Sequence, residues 1–232
     1  MELSNYQAFM ECSSLTSITI PNSVTSIDPG GFYGCTALKK IKIATDNPVY
    51  DSRDNCNAII ETSTNSLIYG CQSTTIPDSV TGIGDWAFNG CSSLASITIP
   101  HGVTSIGEAA FAKCSGLASI TISDSVIRIG NSAFASCTGL KDVTISDGVI
   151  SIGYRAFYAC KSLKSITIPD SVSEIKEMAL GYSYDKYWEP IKIDSFIIYG
   201  TKGSATETYA KENGFTFKKT GLTSKSTIAD TD

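Results

Sequence analysis

The chain has 232 residues, of which 42% are hydrophobic and 18% charged, too apolar and too weakly charged for a disordered polypeptide. Its formal net charge of −5 argues against a non-specific nucleic-acid binder, which needs a basic stripe, and against electrostatic docking on an anionic membrane. No apolar run approaches the roughly 20 residues that span a bilayer, so no membrane insertion is expected.

Met1-Glu2-Leu3-Ser4-Asn5 has no basic segment followed by an apolar one, so no signal peptide is visible. Either the protein stays inside the cell or the chain is a piece of something longer. The second is favoured, because Tyr6-Gln7-Ala8-Phe9 already reads as the middle of a repeat. Phe9 and Phe32 are 23 residues apart, and so are Cys12 and Cys35. The next turn is irregular: Ile43 to Ile76 spans 33 positions where 23 are expected. Within it, Ala58–Thr62 and Leu67–Tyr69 flank a polar stretch and read as two strands of a hairpin projecting from the stack. The hairpin-bearing turn is placed at 44–76, with the columns resuming in phase at Ile76-Pro77.

From Gly84 the repeat is regular. Phe88, Phe111, Phe134 and Phe157 keep the step of 23, as do Cys91, Cys114, Cys137 and Cys160. The unit is Gly-x-x-Ala-Phe-x-x-Cys-x-x-Leu-x-x-Ile-x-Ile-Pro-x-x-Val-x-x-Ile. Ile-x-Ile alternates with period two and predicts a strand with one buried face. Pro ends it, because proline cannot donate to a ladder. Val-x-x-Ile-Gly predicts a second short extended piece, and Ala-Phe-x-x-Cys one helical or 3-10 turn. One unit cannot bury its own apolar side, whereas stacked units can, each touching only its neighbours.

A capping region is expected over 176–219. Leu180 sits 23 after Phe157, and Gly181–Pro190 then replaces the usual turn. Ile191–Ile193 reads as a last core strand, with Phe196–Gly200 as a candidate for another. Ala205–Asn213 has helical composition and stops before Gly214, and Phe215-Thr216-Phe217 would cover the open end. The Thr/Ser/Lys/Asp mixture over 220–232 reads as a disordered tail or linker, leaving 1–219 as one solenoid domain.

The recurring Leu-x-Ser-Ile-Thr-Ile-Pro-x-x-Val-x-x-Ile-Gly-x-x-Ala-Phe-x-x-Cys run resembles the BspA-like class of leucine-rich repeats, over roughly residues 5 to 217. The resemblance implies a leucine-rich-repeat solenoid: a right-handed stack of 23-residue turns, with a parallel sheet on the concave face and short strands or 3-10 turns on the other. It also implies adhesion, matrix-protein binding and cell–cell contact at the surface of host-associated anaerobic bacteria or parasitic protists. The family has no shared catalytic residues to carry over. The expected localisation is therefore the cell surface, or secretion as part of a longer protein, with a cytoplasmic location left open by the missing leader.

Catalysis has little material. His101 is the single histidine and occupies a turn position held elsewhere by Asn22, Asp78, Asp124, Asp147 and Asp170, so no His-based triad or His-rich metal site is expected. The aspartate column lines up along the stack without converging as Ca²⁺ requires. Of eight cysteines, none forms the close pair typical of zinc. The column reads as buried thiols packing as small hydrophobes, whereas Cys56 and Cys71 lie outside it and are either bonded or free. No cofactor is expected.

The binding candidates are three. Tyr182, Tyr184, Tyr187 and Trp188 form an aromatic cluster, either a contact hot spot or rings that pack the cap. Thr98, Thr121, Thr144 and Thr167 lie on the outward side of the strands, where threonine either hydrogen-bonds a ligand or is simply a good exposed strand residue. Trp86, Tyr154 and Arg155, with Tyr158, occupy non-core positions of the Gly-x-x-Ala-Phe segments and make a second candidate patch. The sequence thus points to a non-enzymatic module for a protein or glycan partner, against a spacer with no ligand and, remotely, an enzyme. The N-terminal turn at Met1–Phe9 is a candidate for end-to-end self-association.

Overall fold

The computed structural model describes residues 2–3 and 8–220. The repeat start at Tyr6-Gln7 and the tail beyond Thr220 lie outside the described residues.

The chain winds as a β-solenoid. The Ile-x-Ile strands stack in parallel and in register at 23-residue steps, Ser119–Ile122 on Asp142–Ile145 and Ser17–Ile20 on Lys40–Ile43. Ile20, Ile41, Ile120, Ile122 and Ile145 are buried, while Thr121 and Thr144, paired across the ladder, face out. This sheet is interrupted: residues 73–76 and 96–99, the corresponding stretches of the turns between, form no strand. The continuous sheet is the one built from five of the shorter Val-x-x-Ile pieces and three strands of the inserted turn. It has eight strands, in the order Glu174–Ile175, Ser151–Ile152, Arg128–Ile129, Ser105–Ile106, Gly82–Ile83, Ser66–Gly70, Ala58–Glu61 and Tyr50–Asp51.

The glycine that closes each short strand is set by the pitch of the stack. A Cβ at Gly130 would lie 2.6 Å from the carbonyl carbon of Gly107, and one at Gly153 would lie 2.6 Å from that of Gly130. Successive turns therefore approach here more closely than any side chain allows.

The Ala-Phe-x-x-Cys segment is not the helical turn expected in the regular repeats; among the described residues a 3-10 turn occupies this position only at Pro29–Phe32. Elsewhere two residues per turn sit in the left-handed region, Trp86, Ala109, Ser132 and Arg155 in one column and Gly90, Lys113, Ser136 and Ala159 in another. These inversions turn alternate peptide groups along the stack. Trp86, Phe88 and Gly90 N–H donate to the carbonyls of Glu108, Ala110 and Ala112 at 2.8, 2.7 and 2.8 Å, and the pattern recurs 23 residues on. Each segment so bonds to the next turn as well as within itself, where Asn89 N–H donates to Trp86 O and Cys91 N–H to Phe88 O, which offsets the roughly 1–2 kcal/mol that left-handed non-glycine backbone costs. Inside, the phenylalanine rings stack, with Phe88–Phe111, Phe111–Phe134 and Phe134–Phe157 centroids 4.9, 5.2 and 5.2 Å apart, close to the spacing of the strands.

The inserted turn forms the antiparallel hairpin Ala58–Glu61 and Ser66–Gly70, but it does not project. Ser66 and Leu67 pair in parallel with Gly82 and Ile83 of the next turn, and both hairpin faces are covered. Ala58, Ile60 and Leu67 join the core of the later turns, while Ile59, Tyr69 and Cys71 join that of the earlier ones. The reason is legible in the run Ala-Ile-Ile, which is apolar on consecutive residues and so suits a strand buried on both faces.

The last core strand is Ile197–Gly200, paired in parallel with Ser165–Thr167 on one side and Thr216–Lys219 on the other. Of Ile191–Ile193, expected as a core strand, Ile193 is buried in the core, whereas Ile191 and Lys192 lie on the exposed strand Pro190–Lys192, which pairs antiparallel with Tyr182–Tyr184. It departs from the 23-residue phase because Gly181–Pro190 makes an outward hairpin first. The helix Ala205–Glu212 starts at Ser204, whose hydroxyl accepts from Glu207 N–H. Tyr209 is buried and closes the end of the stack: its hydroxyl accepts from Leu180 N–H and donates to Leu180 O, both at 3.1 Å.

A candidate binding surface

The outward hairpin is closed by Asp185. Its carboxylate accepts from the N–H groups of Tyr187 and Glu189 at 2.8 and 3.0 Å, and Trp188 takes a left-handed backbone with φ of 68°. Tyr187 and Trp188 at this tip are 69% and 75% exposed, too open to be packing rings of the cap. Tyr182 turns the other way. It meets Phe215 edge-on at 5.3 Å and donates to Asn213 Oδ1 at 2.9 Å, so it is a cap residue.

Tyr184 links the hairpin to the stack. It stacks on Trp188 at 4.7 Å and lies 6.2 Å from Tyr158. The Arg155 guanidinium lies over both Tyr158 and Tyr154, at 4.8 and 4.9 Å. Lys161 Nζ sits 4.3 Å above Tyr184, and Lys186 Nζ 4.8 Å above Tyr187. The structure therefore joins two of the sequence candidates, Tyr154 with Arg155 and Tyr184 with Trp188, into one continuous aromatic–cationic strip. Trp86, half-exposed, is left in the left-handed column three turns away from Arg155. Burial pushes the Tyr158 hydroxyl above its ordinary pKa, against the lowering effect of Arg155.

Lys161 and Tyr158 complete the strip, and the sequence reading gave Lys161 no role. Its signal was weak: it occupies the position after the column cysteine, which Ser92, Ser115 and Thr138 hold in other turns. Only the projecting hairpin brings it against Tyr184.

Thr98, Thr121, Thr144 and Thr167 are all exposed. A shallow groove runs between Thr98 and Thr121, with His101 and Asp124 at its margin. His101 is a surface turn residue whose Nδ1 lies 3.1 Å from Asp124 Oδ1. A second groove, not anticipated from the sequence, crosses the short-strand sheet. Gly107, Gly130 and Gly153 form its floor, and the half-exposed Ile127 and Ile150 stand beside it.

No group of three or more His, Cys, Asp or Glu side chains able to hold a metal ion occurs among the described residues. The eight cysteines are free thiols. Cys71 Sγ donates to Asn57 O at 3.5 Å and Cys56 Sγ lies 3.7 Å from Ser52 Oγ, so these two are not joined. No helix among the described residues is long and apolar enough to cross a membrane.

Fold and surface together define a class: a repeat solenoid whose turns are interchangeable in the core and individual outside. Six copies of the BspA-type leucine-rich repeat match residues 3–56 and 60–185, well over half of the 232 residues. The chain belongs to the BspA-type leucine-rich-repeat family. A search of curated proteins gives no match. Among solved structures, it resembles a leucine-rich-repeat protein from Eubacterium ventriosum, at 25% identity and TM-score 0.60, over 70% of this chain and 49% of that one. A leucine-rich cell surface protein from Faecalibacterium prausnitzii is similar at 27% identity and TM-score 0.56, over 90% and 49%. The pneumococcal vaccine antigen PcpA shares the fold, at 20% identity and TM-score 0.65, over 90% and 56%. The chain thus spans about half the length of these neighbours.

Proposed function

We propose that this chain is a non-enzymatic interaction module of a longer, cell-surface protein, and that it binds a protein or glycan partner through the strip from Tyr154 to Trp188. The observation that carries this reading is the exposed pair Tyr187 and Trp188, set on a hairpin that interrupts an otherwise regular array. Large, exposed aromatic residues on a rigid scaffold give contact area at little conformational cost on binding. Family membership supports an interaction role, and the Faecalibacterium neighbour is described as a cell surface protein.

The test is a binding screen of the purified chain against host matrix proteins and a glycan array, alongside a Tyr187→Ala/Trp188→Ala double variant. The expected outcome is saturable binding that the double variant loses while its thermal midpoint stays unchanged, because neither ring belongs to the core. Binding that survives would move the site to the Thr98, Thr121, Thr144 and Thr167 face or to Trp86. Silence on both panels would favour the spacer reading.

A further inference from the structure

We infer that the strip takes an anionic glycan, its sugar rings lying on the aromatic faces and its carboxylate or sulfate groups on Arg155 and Lys161. This rests on the reading of the strip as a binding surface and narrows its partner to one chemistry.

The argument begins with Arg155. Its guanidinium is held between the rings of Tyr154 and Tyr158, which fixes the plane of the donor fork. Yet no oxygen satisfies it. Among the described residues its side-chain hydrogen-bond contact is from Nη2 to Met178 Sδ at 3.7 Å, a weak acceptor, and Nε is buried without a partner. Buried donors of a charged group are normally matched, and a planar arginine fork fits a carboxylate or sulfate through two parallel hydrogen bonds. Arg155 thus holds a fixed donor plane to which the described residues supply no oxygen acceptor, and its Nη groups, not the buried Nε, are the ones a ligand would meet.

Lys161 repeats the pattern one step along the strip. Its ammonium lies over the Tyr184 ring, and among the described residues it forms no ion pair with a carboxylate. The acidic groups nearby have other partners. Asp185 is spent on the Tyr187 and Glu189 N–H groups, and Glu177 acts on Tyr182 and Tyr209, on the cap side. Among the described residues Arg155 and Lys161 thus form no ion pair, although Asp185 is near enough to act on Tyr158, and two unpaired cations favour a negatively charged ligand.

The exposed aromatic groups at the hairpin tip select a sugar. Along the strip Arg155 packs on Tyr154 and Tyr158 at 4.9 and 4.8 Å and Tyr184 stacks on Trp188 at 4.7 Å, so the inner ring faces are covered and the open ones belong to Tyr187 and Trp188. The open face of Trp188 suits the C–H side of a pyranose ring, and the cations its acidic substituent.

The probes are an oligogalacturonate (carboxylated), a heparin fragment (sulfated) and a cello-oligosaccharide (neutral). The readout is tryptophan emission in a Trp86→Phe background, which leaves Trp188 as the remaining tryptophan of the two, together with calorimetry. The acidic probes should bind with salt-sensitive affinity and shift Trp188 emission, and the neutral one should not. The ranking of the two acidic probes names the acidic group. Arg155→Lys keeps the charge but loses the fork, and should weaken acidic-probe binding by about tenfold or more. Lys161→Gln, at an exposed position, serves where Arg155→Lys lowers the thermal midpoint. Equal binding of the neutral probe, or acidic binding unchanged in both variants, overturns the inference. Binding of a matrix protein with no response to any glycan also overturns it, while leaving the interaction-module reading intact.

Discussion

Cys114, Cys137 and Cys160 each donate a thiol proton to the carbonyl of the phenylalanine in the turn before, Phe88, Phe111 and Phe134, at 3.1, 3.0 and 3.2 Å. Cys35 does the same to Phe9 at 3.1 Å. This gives the cysteine column a reason beyond packing: a small apolar side chain that still has one proton to offer a buried carbonyl. The same burial holds the proton in place. It pushes the thiols of Cys91 and Cys137 from 9.0 up to about 12. Between those pH values the unfolded chain loses thiol protons that the folded chain keeps, so stability present below about pH 9 falls as pH rises toward 12. Each such thiol steepens the fall by up to about 1.4 kcal/mol per pH unit. Urea midpoints taken at about pH 8 and about pH 10.5 should therefore drop, and a Cys137→Ala variant, weaker at the lower pH, should drop less steeply. An identical slope in the variant would show that the column does not titrate with unfolding.

At the scale of elements, the caps and hairpins differ from the repeats in how they satisfy backbone groups. Within the array backbone N–H groups find carbonyls of their own turn or of an adjacent one. At Leu180 the array ends, and the Tyr209 hydroxyl takes both Leu180 N–H and Leu180 O. Tyr209→Phe keeps the ring and leaves two buried groups unmatched, a loss of about 1–3 kcal/mol. A thermal or urea titration checks this, and a loss under about 0.5 kcal/mol would mean that water reaches Leu180. The sequence made the repeats and the terminal helix legible, because a fixed 23-residue column of Phe, Leu, Ile and Cys can only be a stacked interior. It misled where the period broke. Ile191 follows the alternating pattern of a core strand, yet the hairpin ahead of it swings it into solvent, where it is 44% exposed. The left-handed columns were hidden because Trp86, Ala109, Ser132 and Arg155 share a backbone conformation and no side-chain type. The binding strip was legible only as two separate patches, since the contact of Tyr158 with Tyr184 depends on that hairpin.

For the whole molecule, the decisive feature is that the interior is two cores and not one. The hairpin Ala58–Glu61 and Ser66–Gly70 is a wall between them. Among the described residues, 10 buried side chains form the core before it and 43 the core after it. The wall admits little adjustment: a Cβ on Gly70 would fall 2.2 Å from the Phe88 ring. Tyr69, fully buried, stacks on Phe32 at 4.7 Å and donates to Phe32 O at 3.2 Å, so it belongs to the smaller core. In a stack where each turn touches only its neighbours, stability is local and units can open separately. The smaller core should open first, with amides in Lys40–Ile43 exchanging by hydrogen–deuterium mass spectrometry before those in Ser119–Ile122. Tyr69→Ala should widen that gap, accelerating exchange in Ser17–Ile20 and Lys40–Ile43 and leaving Ser119–Ile122 nearly unchanged, because its ring and hydroxyl contacts lie on the N-terminal side of the wall. Uniform acceleration through all the turns would show instead that the hairpin couples the two cores into a single cooperative unit, and that the solenoid unfolds as one body despite its divided interior.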